Sequence, residues 1–240
     1  GEFVEHEGFM RVGEIRAVAV AANIAPGVCV LDLCCGVAGP GRFITRELGC
    51  SYLGVDLSSS AIEIARSRAG DLDCRFEVSR IPPVPQGPFD VVLLLETMLA
   101  FPDKQPLLEQ VSRALVSGGR FAFTLEEGLP LTTEERERMP DADTIWLTPL
   151  EEMLGYLKRA GLVVRWQEDC SRSHRAMADS LRAAFAADAQ AISAQIGRRG
   201  LEELVASHGL WSEWLAGGRV RKFAFVAEKV AQSTSGGPRM

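Results

Sequence analysis

Val30-Leu31-Asp32-Leu33-Cys34-Cys35-Gly36-Val37-Ala38-Gly39-Pro40-Gly41 is the stretch that decides the fold. Val28 to Cys34 is a near-continuous apolar run, the pattern of a strand buried on both faces. Glycines then interrupt it, and Phe43, Ile44 and Leu48 recur at helical spacing until Gly49 offers a stop. A strand that passes through a glycine turn into a helix lets backbone N–H groups approach a ligand closely. Gly36, Gly39 and Gly41 give G-x-x-G-x-G rather than the G-x-G-x-x-G of dinucleotide dehydrogenases, and Asp32 precedes the first glycine inside the strand.

Downstream, Ser51 to Val55 reads as a second strand and ends in Gly54-Val55-Asp56. Asp56 follows Gly36 by 56 − 36 = 20 residues, the distance at which a βαβ unit sets a carboxylate beside a ribose. An ionised carboxylate can accept from both ribose hydroxyls. The same residue also reads as a helix cap at Leu57-Ser58. Ser60 and Glu63 have the spacing of a capping box for that next helix.

The alternation continues in both directions. A first helix is expected over Val12 to Asn23. Cys74 to Val78 is a third strand, followed by prolines at 82, 83, 85 and 88 in a loop that cannot be helix. Phe89 to Leu95 is a fourth strand. A helix carrying Leu107, Leu108, Val111 and Leu115 leads through Gly118-Gly119 to a fifth, Arg120 to Leu125. Thr148-Pro149-Leu150-Glu151 supplies a capping box and a proline at the first helical position, with the helix ending by Gly161. Leu162 to Glu168 is a sixth strand and Val220 to Val230 a seventh.

Between the last two strands lie about fifty residues of helical pattern, too many for a plain connection. Met177, Leu181, Phe185, Ile192 and Ile196 form an apolar stripe there, continued by Trp211 and Trp214. The expected architecture is α/β: a Rossmann-like seven-stranded, mostly parallel sheet with helices on both faces and a helical cap inserted between strands six and seven. The boundaries expected are a helical segment at 1–26, the core at 27–169 and 218–230, the cap at 170–217 and a tail at 231–240.

Composition narrows the class. The chain has 240 residues, 47% hydrophobic and 24% charged, values of a globular domain rather than a disordered, collagen-like or coiled-coil chain. With 26 basic and 32 acidic residues, the net charge of −6 disfavours phosphate backbones, so no nucleic-acid partner is expected. Six cysteines at 29, 34, 35, 50, 74 and 170 form no C-x-x-C pair, which suits reduced thiols in a cytoplasm. The first residues are acidic where a secretory signal would be basic, and are compatible with a cloning scar. No apolar run approaches the roughly 18 residues of a membrane span. Three scattered histidines give no metal-ligand spacing.

From about Gly27 to Leu125 the sequence resembles the class I, Rossmann-like S-adenosylmethionine-dependent methyltransferases, especially the branch acting on ubiquinone, sterols and natural products. That family's first motif is similar to D-x-G-C-G-x-G, matched here by Asp32, Cys35 and Gly36, with Cys34 and Ala38 where glycine is usual. Asp56 matches the ribose-binding acid. The acid that usually follows the third strand is missing, so adenine contact would fall to Ser79 and Ile81. The histidines often found near Leu99 and Ala100 are missing too, as is the N-P-P-Y or D-P-P-Y sequence of enzymes that methylate DNA bases.

The resemblance implies S-adenosyl-L-methionine as cofactor, contacted by Asp32, Cys35, Gly36, Ala38, Gly41, Asp56, Leu57, Ser79, Arg80, Ile81 and Glu96. It implies methyl transfer to an O, N or C nucleophile of a small, largely apolar molecule such as a secondary metabolite. Candidate bases are His6, His174, His208, Glu96, Glu126 and Glu127, with His174 and Glu126 the catalytic choices. His208 reads as a core histidine on the face of Leu201, Leu204 and Val205. An RNA- or protein-directed methyltransferase and a non-catalytic cofactor-binding module are the competing readings. The insertion is expected to roof the acceptor pocket.

Overall fold

The computed structural model describes residues 8–230. His6 and the tail expected at 231–240 lie outside the described residues. The elements run α1 (Val12–Ala21), β1 (Cys29–Leu33), α2 (Gly39–Leu48), β2 (Ser51–Asp56), α3 (Ser59–Ala69), β3 (Cys74–Val78), β4 (Phe89–Leu94), α4 (Lys104–Ala114), β5 (Leu115–Glu127), α5 (Thr133–Arg138), α6 (Leu150–Arg159), β6 (Leu162–Asp169), α7 (Ser171–Ala187), α8 (Ala189–Gly217) and β7 (Arg221–Lys229).

The seven strands form one sheet in the order β3-β2-β1-β4-β5-β7-β6. The first five pair in parallel, whereas β7 is antiparallel to both β5 and β6. The chain works outward from β1 through β2 to β3, then returns to start again at β4. That reversal between β1 and β4 is the switch point at which open α/β sheets bind ligands, beyond the carboxyl ends of the strands.

Strand alternation divides the core in two. Leu31, Leu33, Val92, Leu94, Phe121, Phe123 and Phe225 face α4 and α6 through Leu107, Leu108, Val111, Met153 and Leu157. Val30, Val91, Leu93, Ala122, Ala224 and Val226 face α1, α2 and α3 through Ile15, Val18, Ile44, Ile62 and Ala65. On the first face Phe121, Phe123 and Phe225 stack with centroids 4.7 and 5.1 Å apart, which ties β5 to β7. A third cluster, Leu131, Met139, Ile145, Leu147, Leu210, Trp214 and Val220, joins the segment after β5 to the end of α8.

Local details depart from the sequence pattern in four places. The cap of α3 is Ser58, whose hydroxyl accepts from Ala61 N at 3.2 Å, so Ser60 lies in the first turn. Pro149 is itself the N-cap of α6 and no side chain caps that helix. Strand β5 starts at Leu115, because Gly118 and Gly119 ride through it next to a register shift between β4 and β5 instead of ending a turn. The stripe on the insertion packs less than the pattern implies: α8 is broken by Gly197 at φ 80°, and Ile196 is 51% exposed. Among the described residues no helix is long and apolar enough to cross a membrane.

Candidate active site

Beyond β1 the chain turns sharply. Cys34, Gly36 and Ala38 all take left-handed backbone at φ 58°, 55° and 55°, a conformation costly for residues with a Cβ and sustained only where the surroundings fix it. Asp56, at the end of β2, does the fixing. Its Oδ2 accepts from Gly36 N at 2.8 Å and its Oδ1 from Ser58 N at 2.8 Å. The carboxylate therefore anchors the turn as well as the next helix, and its other lone pairs remain for a ligand.

Gly41 is glycine for another reason. A Cβ there would sit 2.1 Å from the ring of Tyr52. That ring is buried, and its hydroxyl donates to Asp32 Oδ2 at 2.6 Å. Burial pushes the Asp32 carboxyl up to about 7, against the lowering by the Tyr52 hydrogen bond. Burial likewise pushes the Cys34 thiol up to about 12, helped by Asp56 and Asp32, and raises Cys35 in the same way. Both are thiols rather than thiolates at neutral pH.

Asp32, Cys34, Cys35, Gly36, Val37, Pro40, Asp56, Ala61, Leu95, Glu96 and Thr97 line a cavity of about 280 Å³ at the switch point. A second cavity of about 270 Å³ adjoins it. Phe9, Leu99, Ile145, Trp211, Leu215 and Val220 give it apolar walls, and Glu96, Glu126, His174, His208 and Lys222 give it polar ones. Glu96 lines both cavities.

Glu96 is held from all sides. Its backbone is left-handed at φ 61°, its N–H donates to Thr124 Oγ1 at 2.6 Å and its Oε2 accepts from Phe9 N at 2.8 Å. Gly8 leaves no room for a side chain there, since a Cβ would lie 2.6 Å from Glu96 Cγ. Lys222 Nζ stands 2.8 Å from Glu96 Oε1, outside hydrogen-bond alignment, so that contact is an ion pair. The same ammonium donates to Glu126 Oε1. The β5–β7 register sets Glu126 directly opposite Lys222. Burial would raise the Glu96 carboxyl, but Lys222 and then His174 hold it down at about 2. Burial would lower the Lys222 ammonium, but Glu126 and Glu96 raise it. Glu126 Oε2 is buried with no partner.

His174 sits in the first turns of α7 at 1% exposure, its Nε2 3.6 Å from Glu14 Oε2 of α1. Neither ring nitrogen has a hydrogen-bond partner. Glu14 is itself engaged by Ser173 and by Arg11 N. Ligand atoms of Glu14, Cys170 and His174 lie within 4.8 Å of one another, a grouping that linear spacing did not show. Burial, with Glu14 beside it, pushes the Cys170 thiol up to about 12. His208 also lines the second cavity. Its Nδ1 is 2.8 Å from Leu204 O, and its ring meets Phe9 and Phe185 edge-on.

Of the residues singled out from sequence, Asp32, Cys35, Gly36, Asp56 and Glu96 meet at the first cavity, and His174 and Glu126 at the second. Ala38 is buried in the turn. Leu57 is 62% exposed. Ser79, Arg80 and Ile81 lie outside the cavity lining; Ser79 N donates to Asp56 O, and Ile81 packs on the core. Lys222, Phe9 and Glu14 were missed. For Lys222 a signal existed: it shares strand parity with the buried Ala224 and Val226, so it had to point inward.

The sheet order, the glycine turn and the acid ending β2 define the class I methyltransferase fold. Residues 30–119 match a family described as a methyltransferase domain. The chain is 32% identical over 158 residues to 27-O-demethylrifamycin SV methyltransferase of Amycolatopsis mediterranei, covering 61% of this chain and 58% of that one. It is 31% identical over 126 residues to phosphoethanolamine N-methyltransferase 1 of Arabidopsis thaliana, covering 50% and 26%. It thus spans less than two thirds of either relative. The cyclopropane synthase MmaA2 of Mycobacterium tuberculosis superposes with a TM-score of 0.84 at 14% identity, over 94% of this chain and 87% of that one. The chain has the fold of the class I, Rossmann-like methyltransferases and is similar over residues 30–119 to a methyltransferase-domain family, and the two relatives are by name methyltransferases of small molecules.

Proposed function

We propose that the protein transfers a methyl group from S-adenosyl-L-methionine to a nucleophile of a small, largely apolar molecule. The observation that carries this reading is the pair of adjoining cavities with Glu96 in the wall of each. One cavity has the donor set for a nucleoside: a left-handed glycine turn with open space above Gly36, and the Asp56 carboxylate with lone pairs to spare. The other has an apolar wall and a few fixed polar groups, the composition of a small-molecule site.

When bound, the cofactor supplies an electrophilic methyl on a cationic sulfur. The protein's own part is placement and exclusion of water. Asp56 and Gly36 would hold the ribose end, with Asp32, Cys34 and Cys35 forming the inner wall. Residues 170–217 act as the cap, since His174, Ser207, His208, Trp211 and Leu215 all face the second cavity. Glu126 and His174 carry bare polar atoms there and are the groups available to a substrate proton.

The reading includes no nucleic-acid partner, in keeping with the net charge of −6. Six free cysteines support a reducing, cytoplasmic setting. Isothermal titration with S-adenosylhomocysteine and with NAD tests the cofactor, and a labelled methyl donor with a panel of acceptors tests turnover. Expected are binding of the first ligand alone and label in a small product. Binding of NAD with equal affinity would refute the reading.

A further inference from the structure

The acceptor cavity has an unusual charge balance. Glu96, Glu126 and Asp141 line it, and Lys222 is the one lysine or arginine among the described residues that does. Lys222 is already shared between Glu96 and Glu126, and both ion pairs are buried. The trio therefore holds one negative charge in excess, in a place where water cannot easily compensate it. Glu96 has spent Oε2 on Phe9 N and Oε1 on Lys222. Glu126 has spent Oε1 on Lys222, and its Oε2 is left without a donor. A buried carboxylate oxygen without a donor costs free energy that an incoming donor would recover.

We infer that this cavity selects acceptors carrying a hydroxyl, amine or ammonium group on an apolar body, with that group donating to Glu126 Oε2, and that it rejects phosphate- and carboxylate-bearing acceptors. This rests on the methyltransferase reading above and narrows its acceptor class. Lys222 is the positioning residue that orients the Glu126 carboxylate. The walls formed by Phe9, Leu99, Ile145, Trp211 and Leu215 take the apolar body. An anion would meet a surplus of negative charge, and its best cation is already engaged twice. The selectivity thus runs against what the similarity to a phosphoethanolamine enzyme would suggest.

The test is ligand-observed NMR on the full chain saturated with S-adenosylhomocysteine, using four probes of one size: tyramine, phenethylamine, phenylacetate and phenyl phosphate. The two amines are expected to bind at least tenfold more tightly than the two anions. Glu126→Gln is expected to abolish that preference while leaving S-adenosylhomocysteine affinity within twofold. Lys222→Met serves as a second variant if it folds by circular dichroism, and, by removing the cation that offsets the two carboxylates, is expected to widen the preference for the amines over the anions. Equal binding of all four probes, absence of binding by all four, or a preference for the anions would overturn the inference. So would a preference that survives Glu126→Gln. Failure of S-adenosylhomocysteine to bind would instead strike the cofactor reading, so the two failures are distinguishable.

Discussion

Asp32 gives the protein a measurable dependence of stability on pH. Its carboxyl titrates at about 7 in the folded chain, against an ordinary value of 3.8, because burial disfavours the anion. The folded state therefore holds a proton that the unfolded chain has released throughout that window. Stability is lost as pH rises from about 4 to about 7 and is constant above it. The rise from 3.8 to about 7 corresponds to about 4 kcal/mol in all, of which about 2.5 kcal/mol falls between pH 5 and pH 8.

Asp32→Asn removes the titration while keeping a carbonyl oxygen to accept from Tyr52. Urea unfolding of both proteins at half-unit steps from pH 5 to 8, without ligand, isolates the effect as a difference. That difference cancels the other titrating groups. The variant should gain about 2.5 kcal/mol on the wild type across the range, whatever its standing at pH 5. Parallel curves would show that Asp32 is ionised in the folded chain and would refute the argument from burial.

Gly41→Ala should destabilise the fold by about 3 kcal/mol, because the new Cβ displaces Tyr52 and strips Asp32 of its hydroxyl partner; thermal unfolding reads this directly. Asp56→Ala should weaken S-adenosylhomocysteine binding by about 1–3 kcal/mol in calorimetry, losing the proposed ribose contact and the anchor on Gly36 together; unchanged affinity in a folded variant would leave Asp56 as a cap alone. Arg219 clamps Glu135 through both carboxylate oxygens, at 2.6 and 2.8 Å, and holds that carboxyl down at about 2. The stabilisation from this pair is present above about pH 4.5 and fades as pH falls toward 2, so Arg219→Met should cost about 1 kcal/mol at pH 7 and flatten the acid limb of the unfolding curve.

The first half of the chain was the more legible because its elements alternate on local rules. A buried parallel strand declares itself by a near-continuous apolar run, as Val28 to Cys34 does, and the edge strand Cys74–Val78 declares itself by alternating apolar and charged residues. Asp56 was readable for the same reason, since a βαβ unit fixes its distance from Gly36 by geometry. The acceptor side obeyed no such rule. Lys222 and Glu126 are 96 residues apart and become partners only through the antiparallel register of β5 and β7. Glu14 meets His174 only because α1 packs beside the start of α7. Gly41 reads from sequence as a ligand contact, and the structure gives its lack of a Cβ a second reason in the ring of Tyr52; a glycine in a turn and a glycine under a ring look alike in sequence.

The place of β7 bears on how the chain can reach this state. Among the described residues it is the last strand in sequence, yet it lies between β5 and β6. Until it arrives β6 has no partner in the sheet, and the edge of β5 stays open beside the apolar Phe121 and Phe123. Residues 170–220 must therefore be made before that edge can close, and an open apolar edge invites pairing with another chain. Because β6 and β7 run antiparallel, they can form as a pair and dock together, with α7 and α8 looped out between them. Substitutions that weaken β7 should then appear first as aggregation during synthesis or refolding, before any loss of ligand affinity in the molecules that do fold.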